Sequence, residues 1–126
     1  MLKVKTILAK SSIEGIGVFA DQKIDKGALI WEFTPGVDIV LDQFGYLSKI
    51  QYEFIYKYAY WDKQLDKWIL PADNDRFTNH RDEPNTRPIG NEGKVYAICD
   101  IEEGEEITIN YFDIDKYAQD KFDEEV

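Results

Sequence analysis

Two short segments decide the fold of this chain: Arg76–Asn85, with the sequence RFTNHRDEPN, and Gly104–Tyr111, with the sequence GEEITINY. The first contains the only histidine, His80, directly after Asn79. Both side chains need hydrogen-bond partners if they are shielded from water. The pair therefore either braces the turn that follows or holds a ligand. The second segment predicts a glycine turn and a strand that ends in Tyr111, a place where an aromatic ring is ordinarily part of the core.

Working outward, strand patterns dominate both ends of the chain. Leu2–Leu8 alternates apolar and polar residues over most of its length, which predicts a half-buried strand. Gly15–Ala20 and Ala28–Phe33 predict two further strands, and Asp25–Gly27 supplies a turn between them.

Residues 18–30 resemble residues 95–107. The matching positions are Val18, Phe19, Ala20, Ile24, Gly27 and Ile30 in the first copy and Val95, Tyr96, Ala97, Ile101, Gly104 and Ile107 in the second. Two copies are too few for a solenoid. A pair of similar β-units around one core is the favoured interpretation, and chance similarity between two hairpins is the alternative.

The middle of the chain has a different pattern. Asp42 is predicted to cap a helix. Its apolar face would comprise Phe44, Leu47, Ile50, Phe54, Ile55 and Tyr58. Tyr58–Trp61 and Lys67–Leu70 then predict a hairpin that Pro71 ends. With 126 residues and no linker-like segment, one domain is expected.

Charge is unevenly distributed. Residues 1–99 carry 14 acidic and 13 basic side chains, whereas residues 100–126 carry 11 acidic and 2 basic ones. No basic face is evident, so direct nucleic-acid binding is not expected. The acidic end is either a solvated terminus or a field that attracts a basic partner. No apolar run reaches membrane-spanning length, and the lone Cys99 suits a reducing compartment. A soluble, intracellular protein, cytoplasmic or nuclear (including a host nucleus), is therefore expected.

With Glu14–Phe19, EGIGVF, the two opening segments resemble the three motifs of SET-domain protein lysine methyltransferases, in the expected order. The resemblance covers roughly residues 3–112. It implies a mainly β, β-clip-like fold of small curved sheets with a short helical insert and a knot-like crossing of the C-terminal motif near the central one. Residues 1–126 would then form a single SET domain, with residues 113–126 as an acidic segment that could close the substrate channel.

The same resemblance implies transfer of a methyl group from S-adenosyl-L-methionine to a lysine amine in a histone or another protein. Backbone around Gly15, Ile16 and Gly17 would meet the amino-acid end of the cofactor. Asn79 would bind it through its amide, and the segment at His80 would meet the adenine. The glycine spacing differs from the phosphate-binding Gly-x-Gly-x-x-Gly pattern, which disfavours a dinucleotide fold.

Tyr111 is the implied catalytic residue, because the family's tyrosine hydroxyl lies beside the reacting methyl group. Tyr58 resembles the second channel tyrosine. Tyr60 and Phe112 are candidates for the channel wall, with core packing as their alternative role. An aromatic channel suits this reaction because burial of the lysine amine disfavours its charged form.

Several features depart from the family or limit other chemistry. Arg81 stands where the family usually has serine. One histidine cannot build a typical zinc site without cysteines, so no metal site is predicted. Without the zinc modules of many relatives, a channel lid would come from Tyr117, from Phe122 or from a second subunit in a homodimer.

The predicted partner is a basic, lysine-containing protein or peptide, captured by the acidic end of the chain. Carboxylates of that end are expected to stay out of the channel, because they would stabilise the charged amine. The alternative function is a SET-like module that binds protein or cofactor without transferring methyl groups. A purely structural β-domain is a third interpretation.

Overall fold

Ten short strands and three short α-helices make up the described part of the chain, which comprises residues 1–42 and 45–124 of a computed structural model. The strands are β1 (Thr6–Lys10), β2 (Ile16–Ala20), β3 (Leu29–Glu32), β4 (Ile39–Val40), β5 (Tyr60–Asp62), β6 (Lys67–Leu70), β7 (Asn79–His80), β8 (Thr86–Pro88), β9 (Lys94–Ala97) and β10 (Glu106–Ile109). The helices are α1 (Lys49–Tyr58), α2 (Tyr111–Ile114) and α3 (Ala118–Glu124), with a 3-10 turn at Asn74–Phe77. The predicted mainly β architecture is confirmed.

The strands form three small sheets, with the orders β1-β2-β10-β7, β3-β9-β8 and β4-β6-β5. In the first sheet, β10 lies antiparallel to β2 and parallel to β7. The parallel register pairs Thr108 with Asn79 and Ile109 with His80. The central and C-terminal motifs are therefore neighbours in one sheet, and β10 delivers Tyr111 to the side of His80.

The internal similarity is a structural repeat, not a coincidence. Ile24 and Ile101 occupy equivalent positions and face each other in an antiparallel bridge, with N–H···O distances of 2.9 and 2.8 Å. Each copy's glycine turn donates its N–H to the strand of the other copy at 2.8 Å: Gly27 to Ala97 and Gly104 to Ala20. Both glycines have a φ of +90°, which side chains rarely adopt. The two β-units are thus related by approximate two-fold symmetry.

Apolar residues of the two units form the main core, and a second cluster joins it to the hairpin of β5 and β6. The main cluster comprises Val18, Ala20, Ile24, Ile30, Ala97, Ile101 and Ile107. The second comprises Trp31, Ile69, Val95, Ile109 and Ile114. Since burying one large aliphatic side chain contributes about 1.5–3 kcal/mol, the two clusters can hold the small sheets together.

Helix α1 begins later than the sequence pattern suggested. Its N-cap is Ser48, which forms a capping box with Gln51: the Gln51 N–H donates to Ser48 Oγ at 3.3 Å, and the Ser48 N–H donates to Gln51 Oε1 at 2.9 Å. The predicted cap at Asp42 was wrong, because this reciprocal pair satisfies two N–H groups where an isolated aspartate satisfies one. Phe44, assigned to the same helix, lies outside the described residues.

The helix also buries less than its pattern predicted. Ile50 is 79% exposed and Phe54 is 44% exposed, and no residue of α1 is fully buried. Its C-terminal half contacts the rest of the molecule: Tyr58 packs on Phe77 with ring centroids 5.6 Å apart, and Lys121 lies over the Tyr56 ring at 5.7 Å. The predicted first strand is shifted too: β1 begins at Thr6, and Leu2 forms an isolated bridge with Trp31.

Candidate active site

A cavity of ≈ 720 Å³ lies among β7, the 3-10 turn, the end of β10 and the C-terminal helices. Seven of the residues singled out from the sequence line it: Gly15, Ile16, Tyr58, Tyr60, Asn79, His80 and Tyr111. Its volume falls within the roughly 300–1,000 Å³ that is typical of small-molecule and cofactor sites. Residues from four distant parts of the sequence therefore share one cavity.

The two glycines of the N-terminal motif have different structural roles. Gly15 lines the cavity with a φ of +47°, and a Cβ there would have no atom within 4 Å. Gly17 lies behind the wall, where a Cβ would be 2.4 Å from Oε2 of Glu106 and 3.1 Å from Nδ2 of Asn79. Glycine is needed at position 17 because two side chains pack directly against the backbone.

Asn79 is held from behind by three acceptors. Its Nδ2 donates to Glu106 Oε2 at 2.9 Å, to the Glu14 carbonyl at 3.1 Å and to the Ile16 carbonyl at 3.4 Å. The carboxylate and two carbonyls fix which end of the amide carries the N–H groups. Among the described residues none donates to Oδ1, so this oxygen can accept a hydrogen bond from a bound cation.

Sequence reasoning missed Glu106. One carboxylate oxygen accepts from Asn79, and the other accepts from the Ser11 hydroxyl at 2.7 Å. In a strand of alternating residues, Glu106 has the pattern of a solvent-facing position. Its partner Ser11 lies 95 residues away, so no local signal reveals the contact.

Both ring nitrogens of His80 have hydrogen-bond partners. Nδ1 accepts from the Tyr111 N–H at 3.0 Å, and Nε2 lies 2.8 Å from Asp82 Oδ1. Because Nδ1 accepts, the ring proton lies on Nε2 and is donated to Asp82. His80 therefore holds the backbone of Tyr111 in place, a contact that the sequence did not predict.

The Tyr111 hydroxyl is fixed at the cavity wall, where it donates to the Thr78 carbonyl at 2.7 Å. Its backbone begins α2, which Asn110 caps by accepting from the Phe112 N–H at 2.9 Å. Phe112 itself does not line the cavity: it is 40% exposed and stacks on Phe122, with centroids 5.4 Å apart. Successive residues on a helix point about 100° apart, so only Tyr111 of this pair faces inward.

Helix α3 supplies part of the cavity wall. Lys121 Nζ donates to the Ala59 carbonyl at 2.6 Å and lies 2.9 Å from Oδ2 of buried Asp115, and the Phe122 ring is centred 4.9 Å from that of His80. Both Lys121 and Phe122 line the cavity. Of the two predicted lid residues, Phe122 is placed there.

Tyr117, the other predicted lid residue, packs instead on the β5–β6 hairpin. Its ring stacks on Trp68 at 5.6 Å and meets Trp61 edge-on at 6.4 Å.

The position of Asp115 also differs from the prediction. Asp115 belongs to the acidic end, yet it lines the cavity. The expectation that carboxylates of this segment stay out of the cavity was therefore wrong for Asp115, whose charge is compensated by Lys121 at 2.9 Å.

A second carboxyl in the wall, Asp75, was not anticipated. It lies in the 3-10 turn, and Thr78 Oγ1 donates to its Oδ1 at 3.1 Å. Burial, assisted by Asp73, raises the pKa of Asp75 to about 7. Burial likewise raises the pKa of Tyr60 well above its usual range, and the charges of Asp62 and Asp75 add to this effect.

The substitution at Arg81 leaves the local backbone intact. The Arg81 side chain is exposed, and its N–H donates to the Ile109 carbonyl at 3.1 Å. The β7–β10 connection therefore continues past His80 in spite of the departure from the family's serine. In the described residues, no group of His, Cys, Asp or Glu side chains could hold a metal ion, and no helix could span a membrane.

Fold and cavity together define a small, mainly β protein in which a glycine strand, an Asn-His strand and a tyrosine surround one cavity. The chain belongs to the SET-domain family, whose model matches residues 15–112. No curated protein sequence matches it.

Solved structures of similar fold include a Plasmodium falciparum protein assigned as a histone methyltransferase, with 29% identity and a TM-score of 0.58 over 87% of this chain and 95% of that one. Polycomb Repressive Complex 2 of Chaetomium thermophilum bound to S-adenosylmethionine, in an autoinhibited conformation, has 26% identity and a TM-score of 0.64 over 99% of this chain. A humanized mutant of that complex with the inhibitor GSK126 has 28% identity and a TM-score of 0.63 over 90% of this chain. This chain spans 15% to 17% of the length of those Chaetomium chains. Family and neighbours support a methyltransferase function in general.

Proposed function

We propose that this chain transfers a methyl group from S-adenosyl-L-methionine to the side-chain amine of lysine in a protein substrate. The observation that carries the proposal is one shared cavity. It is lined both by the implied cofactor segments, Gly15–Ile16 and Asn79–His80, and by the implied channel tyrosines Tyr58, Tyr60 and Tyr111. The S-adenosylmethionine-bound Chaetomium structure of the same fold supports it.

The residues present fit the cofactor. Asn79 offers Oδ1 as an acceptor for the ammonium of its amino-acid end, with the amide held in that orientation by Glu106. Gly15, with no side chain, allows close approach of a ligand to the backbone. His80 and Phe122 offer aromatic surface for a purine ring. When bound, the cofactor supplies a methyl group activated by its sulfonium sulfur.

The chain's own residues then act mainly by positioning. Tyr111, fixed between the Thr78 carbonyl and Nδ1 of His80, presents its hydroxyl oxygen to the reacting groups. Apolar surface from Tyr58 and Tyr60 desolvates the lysine amine, which lowers its pKa and favours the nucleophilic neutral form. Orientation of this kind can supply a large part of the acceleration of a displacement reaction.

We further propose that residues 1–126 act as one SET domain, with a core at about 3–112, and that α3 closes its cavity. Lys121, through Asp115, and Phe122, through His80, join α3 to the cavity wall that they line. The substrate is a basic, lysine-containing segment attracted by the acidic residues after position 99. Glutamine substitutions at exposed Glu102, Glu103 and Glu105 should raise the KM for a basic peptide; an unchanged KM would refute capture by these groups.

Two measurements test the proposed function. Calorimetry with S-adenosylmethionine should show binding, and radiolabelled methyl transfer to a mixed protein lysate should show activity and reveal the substrate. Tyr111→Phe should bind the cofactor as the wild type does and lose most turnover; full turnover in this variant would refute the assigned role. Cofactor binding without transfer to any protein would instead favour a binding module.

A further inference from the structure

The 3-10 turn at Asn74–Phe77 presents an acid to the cavity that the proposed function has not used. Asp75 lines the cavity and is, as a whole residue, partly buried. In the described chain no cation forms an ion pair with it, and its carboxyl accepts one hydrogen bond, from the Thr78 hydroxyl at 3.1 Å. This carboxyl is therefore held at one oxygen and open at the other.

A single residue joins Asp75 to the implied catalytic tyrosine. Thr78 donates to Asp75 Oδ1 through its hydroxyl and accepts from the Tyr111 hydroxyl through its carbonyl, at 2.7 Å. Both groups thus lie against one residue of the cavity wall. The Tyr111 hydroxyl and the Asp75 carboxyl are therefore linked through Thr78 and line the same cavity.

The surroundings of Asp75 raise the pKa of its carboxyl toward neutral pH. Burial has the largest effect on its pKa, and Asp73 on the same turn and Asp38 in the loop before β4 add to the increase. The Thr78 hydroxyl and the amino group of Met1 oppose it, and Tyr60 of β5 lies on the cavity side. The pKa of Asp75 is thereby raised to about 7.

Methyl transfer needs such a group, because a lysine ammonium must lose a proton before its nitrogen can attack. Its ordinary pKa of ~10.4 lies far above the ~3.9 of an ordinary aspartate, which makes that aspartate a poor acceptor. Raising the carboxyl pKa to about 7 and lowering the amine pKa by burial bring the two groups closer. Proton acceptors matched to the working pH are the efficient ones.

Building on the proposed function, we propose that Asp75 is the proton acceptor for the substrate lysine. An N–H bond of the ammonium breaks and an O–H bond forms on the Asp75 carboxylate. The freed nitrogen lone pair forms the new C–N bond while the C–S bond of the cofactor breaks, which leaves a neutral thioether and a methylated ammonium. Asp75 returns its proton to water when the products leave.

The test compares the pH dependence of kcat/KM for a lysine peptide in the wild type and in Asp75→Asn, a variant that keeps an oxygen to accept from Thr78. The wild type should gain activity as pH rises through about 7. Asp75→Asn should lose about 100-fold at pH 7 and recover above pH ~9, where lysine begins to deprotonate unaided. An unchanged neutral limb in Asp75→Asn would overturn the role.

Asp62→Asn is the matched control, because Asp62 is fully buried, has a raised pKa and does not line the cavity. It should keep the wild-type pH profile, and a profile changed as in Asp75→Asn would also overturn the proposal. Carboxyl ¹³C NMR of the cofactor-free protein gives a readout independent of activity. It should show an aspartate that titrates near pH 7 in the wild type and is missing in Asp75→Asn.

Folding and function are separated by two further comparisons. Asp75→Asn should bind S-adenosylmethionine with wild-type affinity; if it does not fold, Asp75→Glu replaces it and should keep the neutral limb at a reduced rate, whereas loss of the limb there would refute the role. A wild type that binds the cofactor and transfers nothing would refute the proposed function itself. An active wild type with an unaltered Asp75→Asn profile would refute only the role of Asp75.

Discussion

Replacing Gly17 with alanine is expected to weaken both folding and cofactor binding, by displacing a side chain behind the cavity. The new Cβ would lie 2.4 Å from Oε2 and 2.8 Å from Cδ of Glu106, and 3.1 Å from Nδ2 of Asn79. Gly17 has no positive φ, so its backbone can accept alanine. The steric clash is the only obstacle, and the carboxylate of Glu106 must move.

Two hydrogen bonds resist that movement: one from Ser11 at 2.7 Å and one from Asn79 at 2.9 Å. The loss of one hydrogen bond to a charged group costs about 1.5–3 kcal/mol. Alanine offsets about 0.4–1 kcal/mol of this by restricting the unfolded chain. We expect Gly17→Ala to lower the free energy of unfolding by about 1–2 kcal/mol. Because 1.4 kcal/mol corresponds to a factor of ten, misorientation of Asn79 should weaken S-adenosylmethionine binding about tenfold.

Urea denaturation and calorimetry with the cofactor measure the two effects. Gly45→Ala is the matched control, since a Cβ at Gly45 meets no atom within 4 Å and the residue has no positive φ; its stability should stay within ~0.5 kcal/mol of the wild type. In a Glu106→Ala background the cost of Gly17→Ala should largely disappear, because the obstructing carboxylate is gone. Equal behaviour of Gly17→Ala and Gly45→Ala, or full additivity with Glu106→Ala, would refute the steric explanation.

Three further predictions follow from the cavity wall. The folded protein binds the Asp75 proton more tightly than the unfolded chain does, so the free energy of unfolding should fall as pH rises from about 4 to about 7. Asp75→Asn should remove that contribution and be relatively more stable at pH 8 than at pH 5, by at most about 3 kcal/mol in urea titrations; equal differences at both pH values would contradict it. Lys121→Met leaves buried Asp115 without its cation and should cost about 2–4 kcal/mol, with partial recovery in the double variant carrying Asp115→Asn; no recovery would argue against the ion pair. Phe122→Ala should weaken cofactor binding about tenfold by calorimetry while urea denaturation shows a folded core, since the ring packs on His80 from the last helix; unchanged affinity would exclude Phe122 from the site.

Much of the fold could be predicted because its signals are local. Gly27 and Gly104 mark turns, alternation marks strands, and the resemblance of residues 18–30 to residues 95–107 indicated two related β-units. The structure confirms those units and joins them through Ile24 and Ile101. The start of α1 could also have been predicted from the sequence. Ser48 and Gln51 have the spacing of a capping box, which is a stronger local signal than the isolated Asp42.

The inner side of the site could not be predicted in the same way. Glu106 acts on Asn79 and Ser11 across intervals of 27 and 95 residues, and each residue alone has an ordinary surface pattern. Asp75 gains its properties from a 3-10 turn and from burial, neither of which a sequence period encodes. Local pattern thus located the motifs, whereas the groups that orient them depend on tertiary contacts.

Asp115 and Asp75, two carboxyls of the cavity wall, are stabilised in different ways. Asp115 is paired with Lys121 and also accepts from the Trp61 and Tyr117 N–H groups, so its negative charge is compensated and serves to fix α3. Asp75 lacks a cation partner among the described residues, and burial keeps it partly protonated near neutral pH. Since the charge of Asp115 is compensated and Asp75 is only partly ionised, these two groups hold an ammonium less tightly than a fully ionised, unpaired carboxylate would. The cavity can therefore admit a lysine and still take up its proton, because Asp75, which has no ion pair among the described residues, has a pKa of about 7.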